Sequence, residues 1–291
     1  MTFGIAPPRY RLPATTRLGA VTLQVSDLAR SLAYYERVLG LSVVNRERDR
    51  VTLSPPGDAF GLVHLRARPG ARPVPRRGRL GLYHFAILLP DRPSLGRFVA
   101  HLGAIGTQAG SADHAVSEAL YLWDPDGLGI EVYADRPRET WRPRGRELFM
   151  TVEPLDIHDL VESAGGTAWT GMPAGTVLGH MHLHVGDLDA ADAFYHAALG
   201  FDRTVWSYPG ALFLSAGGYH HHLAANTWAA GAAPAGPDDA RLVEWEILLP
   251  APDVCRQAGD SLVASGYSVS ADGDTRAATD PWGTTVRLVS R

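Results

Sequence analysis

Apolar and polar residues alternate from Val21 to Val25 (Val-Thr-Leu-Gln-Val) and again from His180 to Val185 (His-Met-His-Leu-His-Val). Period two predicts a strand with one apolar and one polar face in each place. Both strands lead into an aspartate, Asp27 and Asp187, whose short carboxylate suits a helix N-cap, and the helical runs that follow stop at Gly40 and Gly200. The likeness holds at a constant offset of 160: Leu18 to Leu28 matches Leu178 to Leu188, and Ser31 to Leu41 matches Ala191 to Phe201. A weaker pair at the same offset, Leu82 to Pro90 and Leu242 to Pro250, shares the ending Ile-Leu-Leu-Pro. Each copy is followed by a predicted helix, a strand and an Asp-Pro-X-Gly turn (Asp124 to Gly127, Asp280 to Gly283) into a closing strand.

The pattern predicts an α+β chain of four β-α-β-β-β modules beginning near residues 17, 80, 177 and 241. Modules 17–66 and 80–135 form an N-terminal half, 1–135. Modules 177–228 and 241–290 form a C-terminal half, 177–291. A connector, 136–176, joins the halves, with one short helix predicted inside Asp156 to Ala164. The Arg- and Pro-rich stretch from Arg66 to Arg79 reads as a solvated linker between the first two modules.

Composition narrows the function. A chain of 291 residues with 45% apolar and 20% charged residues has the makeup of a folded protein with a substantial core. The net charge of −4, with both signs interspersed, argues against a nucleic-acid or anionic-membrane surface. Cys255 is the single cysteine, which excludes an intramolecular disulfide and a Cys-rich zinc site and fits a reducing cytoplasm. No signal-like leader or membrane-spanning run is legible.

The chemistry resides in three short stretches. His84 (Leu-Tyr-His-Phe-Ala-Ile), Glu131 (Asp-Pro-Asp-Gly-Leu-Gly-Ile-Glu-Val-Tyr) and His180 (Leu-Gly-His-Met-His-Leu-His) occupy matching points of the repeated unit. Two imidazoles and a carboxylate form the facial triad that holds a divalent metal, usually non-heme Fe(II), and leaves positions open for substrate and oxygen. Singly, each histidine reads more simply as a surface or satisfied core residue. Jointly the metal reading is favoured. Ile130 and Val132 flank Glu131 as core residues and turn it to the opposite face of its strand.

The four-module plan, the strand–Asp-Leu–helix–Leu-Gly signature and the Asp-Pro-Asp-Gly-Leu-Gly-Ile-Glu-Val-Tyr stretch together resemble the vicinal oxygen chelate superfamily over residues 17–290. Within it the chain is similar to the catechol-2,3-dioxygenase-like, two-domain ring-cleaving proteins. The resemblance implies cupped mixed sheets, each built from two modules, with ligands on first and last strands. The first-strand positions here are Ala20, His84, His180 and Glu244, and the last-strand positions are Glu131 and Arg287. Modules two and three together hold a whole triad of His84, Glu131 and His180. The implied topology therefore pairs the inner modules around the metal and the outer modules, one and four, as a degenerate domain.

By the same resemblance the metal is Fe(II), with Mn(II) as the other choice, the substrates are an aromatic diol and dioxygen, and a homodimer is common. In the run Tyr219 to Leu223, read as the last strand of module three, His221 would take a proton from the substrate hydroxyl. His114, in Asp113 to Ser117, would hydrogen-bond substrate, and Tyr121 would contact a ring hydroxyl. His64 would be structural, His101, His158 and His196 solvated, and Asn226 and Trp228 candidates for the pocket wall. Two other activities fit the scaffold. A glyoxalase-like isomerase would use four protein ligands, and a metal-free protein sequestering an aromatic compound would keep its affinity after His84→Ala.

Overall fold

In each module an amphipathic first strand is followed by a helix that crosses over it and by three more strands, the last lying parallel to the first. The computed structural model describes residues 3–291. Module one runs β1 (Arg17–Val25), α1 (Leu28–Arg37), β2 (Ser42–Arg46), β3 (Arg50–Ser54) and β4 (Val63–Ala67). Module two runs β5 (Gly81–Leu88), α2 (Arg92–Ala104), β6 (Gly110–Asp113), β7 (Ser117–Trp123) and β8 (Gly129–Asp135). The connector carries a hairpin, β9 (Pro143–Arg144) and β10 (Glu147–Leu148), and α3 (Ile157–Glu162), capped by Asp156.

Module three runs β11 (Val177–His184), α4 (Leu188–Ala191) continuing as a π-helical turn over Asp192–Ala198, then β12 (Asp202–Val205), β13 (Ala211–Ser215) and β14 (Leu223–Asn226). Module four runs β15 (Arg241–Leu249), α5 (Pro252–Ala264), β16 (Val269–Asp272), β17 (Thr275–Thr279) and β18 (Thr285–Ser290). The predicted caps are in place: the Asp27 and Asp187 carboxylates accept from the backbone N–H groups of Arg30 and Ala190, and Gly40 and Gly200 take φ of 70° and 102°.

Two eight-stranded sheets result. One has the order β16-β17-β18-β15-β1-β4-β3-β2 and joins modules four and one; the other has the order β12-β13-β14-β11-β5-β8-β7-β6 and joins modules three and two. First strands meet antiparallel across the modules (β1 with β15, β5 with β11), while first and last strands within a module pair in parallel, which requires the helical crossover. Each sheet thus takes one module from either half of the chain. The inner sheet unites the two modules that carry His84, Glu131 and His180.

The core is continuous across both sheets. Val21, Leu23 and Val25 of β1, Phe85 and Ile87 of β5, Met181 and Leu183 of β11, and Trp245 and Ile247 of β15 belong to one buried cluster. Truncating Phe85 or Trp245, both almost wholly buried, would cost about 3–5 kcal/mol through lost contact and the cavity left behind. Two buried tyrosines staple the sheets together. Tyr35 of α1 donates to Asp124 at 3.4 Å, and its counterpart Tyr195 donates to Asp280 at 2.8 Å. Each aspartate also closes its Asp-Pro-X-Gly turn by accepting backbone N–H groups, from Asp126 and Leu128 in one case and from Trp282 and Thr284 in the other.

Three expectations need correction. The Arg66 to Arg79 stretch is not a free linker: Arg68 pairs with Asp238, Arg72 and Arg79 pair with the buried Asp239, and the segment is bound to the approach to module four. His196 is not solvated. The π-helical turn rotates it inward, and its Nδ1 lies 2.7 Å from the Phe201 carbonyl. The histidines at 220–222 are not in a strand, because β14 begins only at Leu223. They occupy the turn before it, after Gly217 and Gly218 reverse the chain with φ of 62° and 68°.

Candidate metal centre

The register of β5 against β11 sets His182 opposite His84 and His180 opposite Ala86; that of β5 against β8 sets Ala86 beside Glu131. Because side chains alternate along a strand, His84, His180 and Glu131 share the concave face. One ligand atom from each lies within 4.8 Å of the others, and all three residues are buried. Glu131 Oε2 is 2.9 Å from His84 Nε2 and 3.2 Å from His180 Nε2.

These separations suit a metal. Ligands about 2.1 Å from a cation and at right angles stand roughly 3.0 Å apart. The buried His84 Nε2 has no properly directed hydrogen bond despite its closeness to the carboxylate. A buried ring nitrogen without a hydrogen bond is free to act as a ligand. Protonation agrees. Burial by itself would raise the Glu131 carboxyl, but its closeness to His180 first, and then to His84, holds it well below the ordinary range. Burial pushes His180 down to about 4, against the pull of Glu131. An ionised carboxylate and an unprotonated His180 are what a divalent ion requires.

The centre opens into a cavity of about 180 Å³. Met150, Val152, Tyr208, Phe213 and Trp228 form much of its wall. His114, Tyr121, His182 and His221 add polar groups, and the lining contains no Lys or Arg. His114 is aimed by a tight turn in which Ala115 takes φ of 66°, the single left-handed non-glycine among the described residues. Its Nδ1 donates to the Thr151 carbonyl at 2.7 Å, so Nε2 is left to accept from Tyr121 Oη at 2.6 Å. Burial first, and then the Glu131 charge, raises the Tyr121 phenol well above its usual range. The phenol therefore keeps its proton, which the 2.6 Å contact directs at His114.

The histidine run divides three ways. His221 lines the cavity, its ring 4.1 Å from that of His180. His220 is fully buried behind it, and His222 turns toward Ser215 and the backbone N–H of Ala216. Asn226 lies outside the cavity wall and bridges its neighbours instead, donating to His182 Nε2 at 2.9 Å and accepting from His184 Nδ1 at 2.7 Å. Trp228 lines the mouth. His64 faces the concave side of the outer sheet; His101 stacks on Trp169 and His158 stands in solvent.

Sequence reasoning missed the strap over the cavity. Buried Glu147 accepts from the backbone N–H groups of Trp206 and Ser207, each at 2.7 Å, and from the Ser207 hydroxyl. Met150, Thr151 and Val152 are thereby held across the pocket. A lone glutamate in an irregular connector gave no periodic signal to find it by.

The profile of the Glyoxalase/Bleomycin resistance protein/Dioxygenase superfamily matches residues 17–132 and 177–288, and the chain belongs to that superfamily. The chain is 44% identical over 270 residues, 91% of its own length and 94% of the relative's, to a Bacillus subtilis (strain 168) protein named Catechol-2,3-dioxygenase. Its fold is similar to a solved Bacillus subtilis structure provisionally described as a dioxygenase (TM-score 0.63, 13% identity, 97% of this chain and 86% of that one). It is also similar to glyoxalase I from Zea mays (TM-score 0.53, 18% identity, 95% and 92%). At these identities the two structures bear on the fold alone.

Proposed function

We propose that the chain is an extradiol-type dioxygenase that opens the ring of a catechol or hydroquinone with dioxygen, using Fe(II) or Mn(II) held by His84, Glu131 and His180. The observation that carries this reading is the convergence of two imidazoles and one carboxylate at facial separations at the base of a largely apolar cavity. The extensive likeness to a catechol-2,3-dioxygenase supports the same reaction class. The cluster has three members among the described residues, where the isomerase reading asks for four.

When bound, the metal supplies an electron path between an aromatic diol and triplet dioxygen, and three protein ligands leave room for both. The protein's own groups do the rest. Phe213, Met150 and Val152 line the cavity and would pack against an aromatic ring, and shielding from water strengthens polar contacts. His221, which burial keeps unprotonated, would take the proton of a substrate hydroxyl. Tyr121, fixed by His114, would orient a ring oxygen through its own oxygen. Cleavage beside the diol would give a semialdehyde or keto acid.

The test is to purify the protein without oxygen, measure bound metal, and follow oxygen uptake with a panel of catechols and hydroquinones. One divalent ion per chain and ring-opened product are expected. Full metal loading with no uptake from any diol would overturn the reading.

A further inference from the structure

Behind His221 lies a row of hydrogen bonds that ends on a carboxylate. His221 Nδ1 is 2.7 Å from His220 Nδ1, and His220 Nε2 is 2.9 Å from Asp135 Oδ1. Asp135 Oδ1 also accepts from Tyr219 at 3.1 Å, and the Tyr219 and Tyr133 hydroxyls lie 2.7 Å apart. His220 is entirely buried, and its two ring nitrogens have these two partners.

Proton counting along this row has one solution for neutral rings. A carboxylate only accepts, so His220 carries its proton on Nε2 and donates it to Asp135. His220 Nδ1 is then a lone pair, and the contact between the two Nδ1 atoms needs a proton on His221. That proton sits on His221 Nδ1. The other ring nitrogen of His221, Nε2, on the edge turned away from His220, is left bare.

We infer that Asp135 and His220 are positioning residues that lock His221 in the Nδ1–H tautomer, presenting an unprotonated Nε2 to the cavity. The inference rests on the proposed role of His221 as proton acceptor and deepens it. In the step served, the substrate O–H bond breaks, its electron pair stays on oxygen, and an N–H bond forms at His221 Nε2. The positive charge gained by His221 lies one N–H···N bond from His220, which in turn is one N–H···O bond from Asp135. A free imidazole favours the opposite tautomer, so without the row the proton would often occupy the atom that must accept one.

The test reads the tautomer directly. Full-length protein labelled with ¹⁵N-histidine is studied metal-free and with diamagnetic Zn(II), by long-range ¹H–¹⁵N correlation, with His221 assigned from the spectrum of His221→Gln. Wild type is expected to show an unprotonated Nε2 on His221. Asp135→Ala should shift His221 toward the Nε2–H form, and Asp135→Asn, which keeps an acceptor oxygen, should restore the wild-type tautomer. With the active metal, Asp135→Ala should hold its metal and change KM by no more than about threefold while kcat falls roughly 10²-fold, the low end of what a general base contributes. A protonated Nε2 in wild type, or an unchanged His221 spectrum in Asp135→Ala, would overturn the inference; if that variant does not fold, the wild-type spectrum decides alone. The expected spectra with no diol-dependent oxygen uptake would leave the tautomer lock standing and remove the dioxygenase reading.

Discussion

The two concave faces have matching strand register and opposite chemistry. In the inner sheet His84 lies opposite His182 and Glu131 beside Ala86; in the outer sheet Glu244 lies opposite Thr22 and Arg287 beside Glu246. Where the inner face collects two imidazoles and a carboxylate, the outer face has Ala20, Glu244 and Arg287, with Arg287 Nη1 3.7 Å from Glu244 Oε2. The outer cavity, about 260 Å³, is the larger, yet its wall is made of strand residues and the β2–β3 hairpin alone. The inner cavity is additionally closed by the strap. Backbone geometry thus provides two cups; side-chain type at three positions and a connector laid across one of them set the candidate metal centre apart.

The sharpest break in the comparison is expected at the triad. His84→Ala or Glu131→Gln should abolish stoichiometric metal binding and bring oxygen uptake to background. The loss should exceed the roughly 100-fold that removal of an outer-shell partner costs. Metal analysis and an oxygen electrode check it, and dialysis of wild type against a chelator should reproduce it. A variant that keeps its metal would separate the cluster from the ion.

The strap comes next. Glu147→Ala leaves two backbone N–H groups and a hydroxyl without their acceptor, costing about 1–3 kcal/mol in urea unfolding. It should also raise KM more than it lowers kcat, since Met150 and Val152 lose their hold on the ring. The outer cup offers no equivalent variant.

The staple aspartates give a pH dependence. Burial raises Asp124 to about 7 in the folded protein, whereas the unfolded chain has the ordinary value near 3.8. Between those values the native state binds the extra proton. The contribution of this group is therefore fully present below about pH 3.8 and is lost as pH rises through about 7. Asp124→Asn, which keeps the acceptor oxygen and cannot ionise, should gain on wild type across that window, by a few kcal/mol at pH 8 relative to pH 4. Urea midpoints at the two pH values measure it. Asp280, also raised by burial, should behave alike.

Much of this was legible because repetition carried it. First strands and caps recur at a fixed offset and the turn aspartates recur in the same order, so His84, Glu131 and His180 could be placed on matching strands from the sequence. What escaped lies where period two or 3.6 fails. The histidines at 220–222 sit in a glycine-reversed turn, so alternation could not say which of them faces the cavity. His196 sits in a π-helical turn that shifts its angular position. Glu147 acts through backbone donors brought together only by the fold, and the arginines at 68, 72 and 79 find their carboxylates 160 to 170 residues away.

The smallest effect should come from the outer cup, and it is the control for the whole comparison. Glu244→Gln and Arg287→Met remove members of a pair that is about a third exposed on each side and held at 3.7 Å rather than at hydrogen-bond distance. Such pairs contribute about 0–1 kcal/mol, because water screens the attraction and two long side chains must be ordered to make it. Each variant should therefore unfold within about 1 kcal/mol of wild type, bind the same amount of metal, and consume oxygen within about twofold. Loss of metal or activity from either would mean that the outer face communicates with the inner one through β1 and β11. The triad would then be only part of the centre.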